Sequence, residues 1–391
     1  MVTLVPRDAA DIRDAVASAA DSGRTLEIVG GGSKVNFGNP NRQADKLSTA
    51  GLAKVIDYDP PELVLTVEPG VRLADLEAML VGHNQMFAFE PYDFAGVFAG
   101  EPGLSTIGGV VCGGLAGSRR ISAGSVRDHV LGFSAINGRG ESFKAGGKVV
   151  KNVTGYDLPK LVAGSWGRLA VLTEITLKVL PKPPVTRTLV LHGLSNQAAL
   201  DVMTRAMGSQ AEVAAASHFP ASRKCDAITS IRIEGFGPSV DAREKMLKRS
   251  LVDAGDMEVL DGTRGDARWT RTNIAADLDA VGRPVLWRIC TPPSQGAKML
   301  SSIAELGGVA LLDWAGGLCW ARVPIEAAAA TVRELAERAG GHATLIHGPD
   351  NIRAITPALH PEPPSLAALS KRVRQAFDPA GVFDTGRFAA P

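Results

Sequence analysis

Two glycine-rich segments, about 75 residues apart, carry the residue types suited to holding an anion. In the first, Ile28-Val29-Gly30-Gly31-Gly32-Ser33-Lys34, three glycines follow an apolar run and lead into a hydroxyl and an ammonium. Glycine lets the main chain approach a ligand closely, so successive N–H groups can turn toward one anion, with Ser33 and Lys34 adding a donor and a positive charge. The spacing matches neither G-x-G-x-x-G nor G-x-x-x-x-G-K-[ST], which excludes the Rossmann and Walker readings. The second segment runs from Ser105-Thr106-Ile107-Gly108-Gly109 through Gly113-Gly114 to Gly117-Ser118. Its composition predicts a tight, largely buried turn with Ser105, Thr106 and Ser118 as donors. Two loops of this chemistry imply a long diphosphate ligand crossing between subdomains.

Two further segments extend the pattern. Gly124-Ser125-Val126-Arg127-Asp128-His129-Val130-Leu131-Gly132 precedes an apolar run and the hairpin signal Asn137-Gly138. Arg127 and Asp128 are placed either to pair and fix this loop beside a ligand or to form an ordinary strand-end ion pair. Val150 to Leu158 then leads to Gly164-Ser165-Trp166-Gly167 and a strand over 169–179, whose first main-chain groups can meet the polar edge of a planar ring. Between Gly96 and Gly167 there are 17 glycines in 72 residues, where ordinary usage gives about 5.

The elements that must position these loops are legible in outline. Residues 8–20 read as an amphipathic helix closed by Gly23, and 25–29 as a strand entering the first loop. A second unit repeats the plan, with a strand over 63–67 and a helix over 73–80. Together they predict a small parallel β-α-β sheet. After the joint Leu180-Pro181-Lys182-Pro183-Pro184, the order is strand 186–192, helix 196–207, strands 210–217 and 227–233, helix 239–253 and strand 257–260. It recurs as strand 284–290, helix 294–305, strands 308–314 and 317–323, helix 325–339 and strand 342–346. Each half is a split β-α-β unit, and two of them predict a duplicated ferredoxin-like antiparallel layer. A helix over 365–376 follows, with Leu366, Leu369 and Val373 as its buried stripe, and Phe377-Asp378-Pro379-Ala380-Gly381 turns the chain back. The fold class is α+β, with domains at 1–183, 184–350 and a returning segment at 351–391.

Bulk composition narrows the function classes. Forty-two Lys and Arg against 41 Asp and Glu leave a net charge of +1, without the basic footprint of a nucleic-acid binder. The absence of a signal sequence or an apolar run of membrane-spanning length predicts a cytoplasmic chain that meets membranes only through partners. Cys112, Cys225, Cys290 and Cys319 are scattered, with no C-x-x-C, so neither a zinc site nor an iron–sulfur cluster is signalled.

Taken in order, Gly30 to Lys34, Thr106-Ile107-Gly108-Gly109, Gly124 to Gly132, Asn152-Val153-Thr154-Gly155-Tyr156-Asp157-Leu158 and the closing Phe377 to Arg387 resemble the vanillyl-alcohol-oxidase/p-cresol-methylhydroxylase (PCMH-type) flavoprotein family. Within it the chain is most similar to the FAD-binding (E) subunits of bacterial glycolate oxidase/dehydrogenase. The resemblance implies a PCMH-type FAD-binding domain, made of a small parallel subdomain and a mixed or antiparallel one, under a substrate-side cap. It implies FAD as cofactor. Gly30, Gly31, Gly32, Ser33 and Lys34 would meet the pyrophosphate from one side, and Thr106, Gly108, Gly109 and Gly113 from the other, with the donors Ser105 and Ser118 counted among the cofactor-binding residues. Gly124, Arg127 and Asp128 would flank the flavin, with Leu172 and Glu174 near the ring or its ribityl chain. Some relatives attach FAD through a histidine in the first loop; Ser33 stands there, so the attachment expected is non-covalent. Asp384-Thr385 replaces the Asn-Pro of many relatives.

Oxidising a 2-hydroxy acid needs a cation for the carboxylate, a base for the hydroxyl proton and a hydride acceptor. His342 and His347, five apart in a strand, face opposite sides and do not share a metal. No catalytic base and no metal site are therefore assigned. Three alternatives remain open at this level. The chain is the FAD subunit of a glycolate-oxidising complex, beside a homologous catalytic flavin subunit and an iron–sulfur subunit; or it is a self-sufficient oxidoreductase for another alcohol or hydroxy acid; or it is a scaffold with structural FAD.

Overall fold

The computed structural model describes residues 1–40, 43–98, 100–148, 155–222 and 225–388. Backbone contacts divide the chain into two units. One comprises Met1–Ala116, Gly124–Lys182 and Pro361–Ala390; the other comprises Gly117–Ala123 and Pro183–His360.

In the first unit the Asp8 carboxylate accepts hydrogen bonds from the amides of Ala10 and Asp11 and so starts the helix Ala9–Asp21. Its buried Ile12, Val16 and Ala19 pack with Leu26 and Leu47. This contact fixes the strand Leu26–Val29 that delivers the chain to the first glycine loop. Strand Asp45–Ser48 lies between Thr3–Leu4 and Leu26–Val29 in a three-stranded parallel sheet. The expected second repeat does not join it. Val64–Val67 sits in a five-stranded antiparallel sheet with Val55–Asp59, Ala170–Lys178, Val130–Asn137 and Ser142–Gly146. It pairs with Val55–Asp59 and with Ala170–Lys178, where the Thr66 and Thr176 hydroxyls meet at 3.0 Å. The apolar periodicity of the segment is right; its partner is set by those long-range pairings, which local sequence does not encode.

Three other expectations change in detail. The second glycine segment forms a seven-residue helix, Ile107–Gly113, rather than a bare turn. The Asn137-Gly138 hairpin closes through Asn137 N–H to the Glu141 carbonyl, so its loop is longer than the two-residue turn that signal favours. The tail helix Pro364–Phe377 buries none of its residues; Leu366 and Leu369 are 46% and 47% exposed. The tail is anchored further on. The Asp378 carboxylate accepts from the amides of Val382 and Phe383, both side chains enter the core, and the Val382 carbonyl accepts from Leu26 N–H. The stretch Val150–Thr154 lies outside the described residues, and so does the Asn152-Val153-Thr154 motif.

The second unit is built on one eight-stranded antiparallel sheet. Its order is Glu258–Asp261, Val185–His192, Ile228–Gly235, Ala215–Phe219, Val309–Asp313, Leu318–Val323, Val285–Cys290, His342–His347. Numbered within each half, the order reads 4-1-3-2 and then 2-3-1-4, two ferredoxin-like layers joined edge to edge where His218 pairs with Leu312. Helices Asn196–Met207 and Gly296–Glu305 cover one face through Leu200, Met203, Leu300 and Ile303. A helix at Gly262–Asn273 fills the spacer between halves. Its single large anchor, Trp269, is buried with Nε1 donating to Thr188 Oγ1 at 2.8 Å, too sparse a stripe to stand out in sequence.

Candidate functional site

An open cleft lies within the first unit, where strand Leu26–Val29, helix Ile107–Gly113 and strand Ala170–Lys178 meet. Its first wall is the loop Gly30–Lys34. Among the described residues, the amides of Gly30, Gly31, Gly32, Ser33 and Lys34 have no hydrogen-bond acceptor within the protein. Five consecutive donors thus border one cleft. Close packing behind them explains the glycines: a β-carbon on Gly31 would fall on the carbonyl oxygen of Leu104.

The opposite wall is the start of helix Ile107–Gly113. Here the expected use of main-chain amides is only partly met. Ile107 N–H donates to the Val71 carbonyl and Gly108 N–H to the Pro69 carbonyl. Gly108 serves close approach instead, since its β-carbon would lie 2.6 Å from Pro69 Cβ. The polar group this wall offers is the Thr106 hydroxyl, which is buried, borders the cleft and has no partner in the protein.

Lys34 supplies the charge. Its side chain is buried, with Nζ 3.3 Å from Ser33 Oγ. Burial pushes the ammonium down to about 8, against the pull of Asp93, and Arg387 lowers it further. Arg387 reaches the cleft from the tail. Its guanidinium donates to the carbonyls of Lys34 and Phe37, sits 3.6 Å from Glu27, and lies over the rings of Phe37, Trp166 and Phe388. Phe37 stacks on Trp166 at 4.2 Å. Trp166 holds a φ of 56° with its N–H on the Cys112 carbonyl, which locks it to the end of helix Ile107–Gly113. In sequence Arg387 is only the end of the closing motif and Trp166 a residue of a glycine turn: one is more than 350 residues from the loop it grips, and neither is marked as part of the cleft.

Of the residues singled out by sequence, Gly30 to Lys34, Thr106, Gly108, Gly109, Gly113 and Leu172 border the cleft. Six others do not, and each is engaged elsewhere or held back from it. Ser105 is buried beside Thr106, with its carbonyl accepting from Leu73 N–H. Ser118 belongs to the second unit, its hydroxyl bonded to Asn273 and Asp313. Gly124 packs against Asp128, whose carboxylate accepts from the amide and hydroxyl of Ser125 rather than pairing with the exposed Arg127. Glu174 accepts from Ser134 Oγ on the neighbouring strand at 2.8 Å. His342 and His347 also depart from expectation. A register shift pairs them with Cys290 and Leu286, two residues of one sheet face, so an irregularity in the strand returns His347 to the side of His342. No group of three metal-ligating side chains occurs among the described residues.

The FAD binding domain family matches residues 2–146. Glycolate oxidase subunit GlcE of Escherichia coli (strain K12) is 35% identical over 366 residues, 93% of each chain. The chain belongs to the GlcE family of FAD-binding oxidoreductases. Glycolate oxidase subunit GlcD of Bacillus subtilis (strain 168) is 25% identical over 381 residues, 86% of this chain and 77% of that one. Among solved structures, alkyldihydroxyacetonephosphate synthase aligns with a TM-score of 0.68 at 13% identity, covering 97% of this chain and 75% of that one, a likeness of fold. FAD is the cofactor, and the cleft fits it: five amide donors, a buried ammonium and a partnerless hydroxyl are what a diphosphate requires.

Arg387→Met tests the tail's part in this. It removes both carbonyl contacts while keeping an apolar stem among the rings. FAD affinity is expected to fall about tenfold, the size of one or two lost charge-assisted bonds. Flavin fluorescence titration measures it, and unchanged affinity would show the tail to be a bystander.

Proposed function

We propose that the chain is the FAD-binding subunit of a glycolate (2-hydroxy acid) oxidase/dehydrogenase complex, supporting oxidation of glycolate to glyoxylate with electrons passed to a partner iron–sulfur subunit. The observation that carries this reading is end-to-end similarity to GlcE, 35% over 93% of both chains, joined to a cleft equipped for a diphosphate. In this reading the amides of Gly30 to Lys34, the Lys34 ammonium and the Thr106 hydroxyl bind the pyrophosphate, while Gly109, Gly113 and Leu172 line the path beyond it. Bound FAD supplies a two-electron acceptor. The first loop, where some relatives attach flavin through histidine, offers Ser33, and burial pushes the Cys112 thiol up to about 11, so neither side chain is a ready nucleophile and the cofactor is held non-covalently.

The lining also favours a division of labour. Among the described residues that border the cleft there is no histidine, its two cations are placed as anchors, and its one carboxylate, Glu27, faces Arg387. A base for the hydroxyl proton then comes from a homologous catalytic flavin subunit. No helix among the described residues is long and apolar enough to cross a membrane, which suits a subunit that reaches membranes through those partners.

The test is the flavin spectrum of the purified chain, alone and with its partner subunits, before and after glycolate. Bleaching only in the complex is the expected result. Bleaching of the isolated chain would instead make it self-sufficient, and FAD that no 2-hydroxy acid reduces in either state would make it a scaffold.

A further inference from the structure

The second unit carries a side-chain cluster that flavin binding does not use. In strand Val285–Cys290, Val285, Trp287 and Ile289 pack into the helix-side core, so Leu286, Arg288 and Cys290 face the other way. Cys290 pairs in register with Leu318 on one side and His342 on the other. Beside them stands Trp314, with Arg120 at 4.3 Å and Arg288 at 4.8 Å from its ring centroid. Trp314 is fixed by Nε1–H to the Gly117 carbonyl at 3.0 Å and by its amide to Asp313 Oδ1 at 2.7 Å, at a φ of 52°. A bulky residue held in that left-handed conformation is a strained feature.

The charges do not balance among carboxylates. Neither Arg120 nor Arg288 forms an ion pair with a carboxylate among the described residues. Arg288 Nη1 instead donates to Cys290 Sγ at 3.3 Å, and the His342 ring bonds the same sulfur. The acid in the same register row, Asp313, is taken up by Ser118 Oγ and the Trp314 amide. Cys319, on the neighbouring strand, faces the core. Beyond His342, His360 pairs with Glu337 at 3.3 Å. Cations therefore dominate around this sulfur. Burial alone would raise the thiol, yet Arg288, His342 and Arg120 together hold it below its ordinary range. Cys319, buried without such neighbours, is pushed up to about 12.

We propose that Cys290 is a modification site of this chain: a partly exposed thiol, held by Arg288 and His342 beside Trp314, whose thiolate reacts with hydrogen peroxide and other soft electrophiles. In the peroxide reaction the sulfur attacks one oxygen. An S–O bond forms as the O–O bond breaks, and sulfur gives up two electrons. Hydroxide leaves and takes a proton from solvent, giving water and a sulfenic acid.

The experiment is iodoacetamide labelling of the FAD-loaded full chain, read by peptide mass spectrometry at Cys290 and at the exposed Cys225. An ordinary thiol near 8.5 loses roughly 50-fold in rate between pH 8.5 and 6.5. Cys290 is expected to lose markedly less than that, and less than Cys225 in the same samples. Arg288→Met should slow Cys290 labelling about tenfold at pH 6.5 and leave it unchanged at pH 9.5, with Arg288→Lys restoring the rate. Peroxide followed by dimedone should mark Cys290 first. A Cys290 rate that tracks Cys225 across pH, or dimedone on Cys225 alone, overturns the proposal. The wild-type profile decides it even if the Arg288 variants fail to fold.

Discussion

Gly31→Ala is expected to yield a chain that no longer retains FAD. The methyl group would fall on the Leu104 carbonyl oxygen, which is main chain and cannot rotate away. The loop must therefore separate from residues 104–106, and its five amides move away from the Thr106 hydroxyl that packs against Gly30. Overpacking of this kind costs about 3 kcal/mol or more, roughly 100-fold in affinity. Two neighbours act as internal controls. A β-carbon on Gly30 meets the Thr106 hydroxyl, a side-chain tip able to turn, and one on Gly32 meets only Val35 Cγ1 at 3.7 Å but sits at a φ of 80°. Each is expected to lose about tenfold, the order of a single strained residue. Flavin-to-protein ratio after gel filtration, with titrated dissociation constants, reads the series. Equal behaviour of the three variants would show that the loop does not rest on residue 104.

Lys34→Met is expected to weaken FAD binding by about 10- to 100-fold at pH 7, the range of one charge-assisted bond, and at the same time to stabilise the apoprotein. The sign follows from the ammonium's position near 8, below its ordinary 10.5. The unfolded chain holds this proton more tightly than the native one, so below pH 8 the buried charge is a burden of roughly 3 kcal/mol, relieved as pH rises from 8 to 10.5. A diphosphate reverses the preference. FAD affinity should then be level below pH 8 and fall by up to about tenfold per pH unit above it. In the methionine variant both slopes vanish. A melting temperature of the apo variant below wild type, with an unaltered pH profile for FAD, would mean that Lys34 is a packing residue.

These two residues also mark how much of the site can be read from the chain. That Gly30 to Lys34 suits an anion is legible only with the second glycine segment beside it, because one such loop alone reads equally well as a strand-to-turn connection. What glycine is for at each position does not follow. Gly31 answers to Leu104 and Gly108 to Pro69, contacts made only once the parallel sheet and the short helix have come together. The second wall shows the same limit: Gly108 reads as a pyrophosphate contact, and tertiary packing gives its amide to the Pro69 carbonyl. Polar residues in glycine-rich stretches mislead for a related reason. Ser118, Asp128 and Glu174 look like ligand contacts, but each has a protein partner: Asn273 and Asp313 for Ser118, Ser125 for Asp128 and Ser134 for Glu174.

The eight-stranded sheet was far more legible. Its strands alternate between a helix-covered face and the other, and its helices have apolar stripes, so period and turn residues suffice to give both β-α-β-β-α-β units. Helix Gly262–Asn273 escaped because a single Trp carries its burial. The tail misled in the opposite sense. Leu366 and Leu369 keep helical spacing yet stay exposed, and the anchoring falls to Asp378, Val382 and Phe383. Arg387 follows from that anchoring, which places it over the first loop.

Hydrogen–deuterium exchange across residues 30–34 tests the central claim most directly. If these amides grip the pyrophosphate, FAD slows their exchange strongly, ADP slows it nearly as much, and riboflavin, which has no phosphate, leaves it unchanged. FAD that binds tightly while exchange at Gly30 to Lys34 stays at the apoprotein rate would contradict the account.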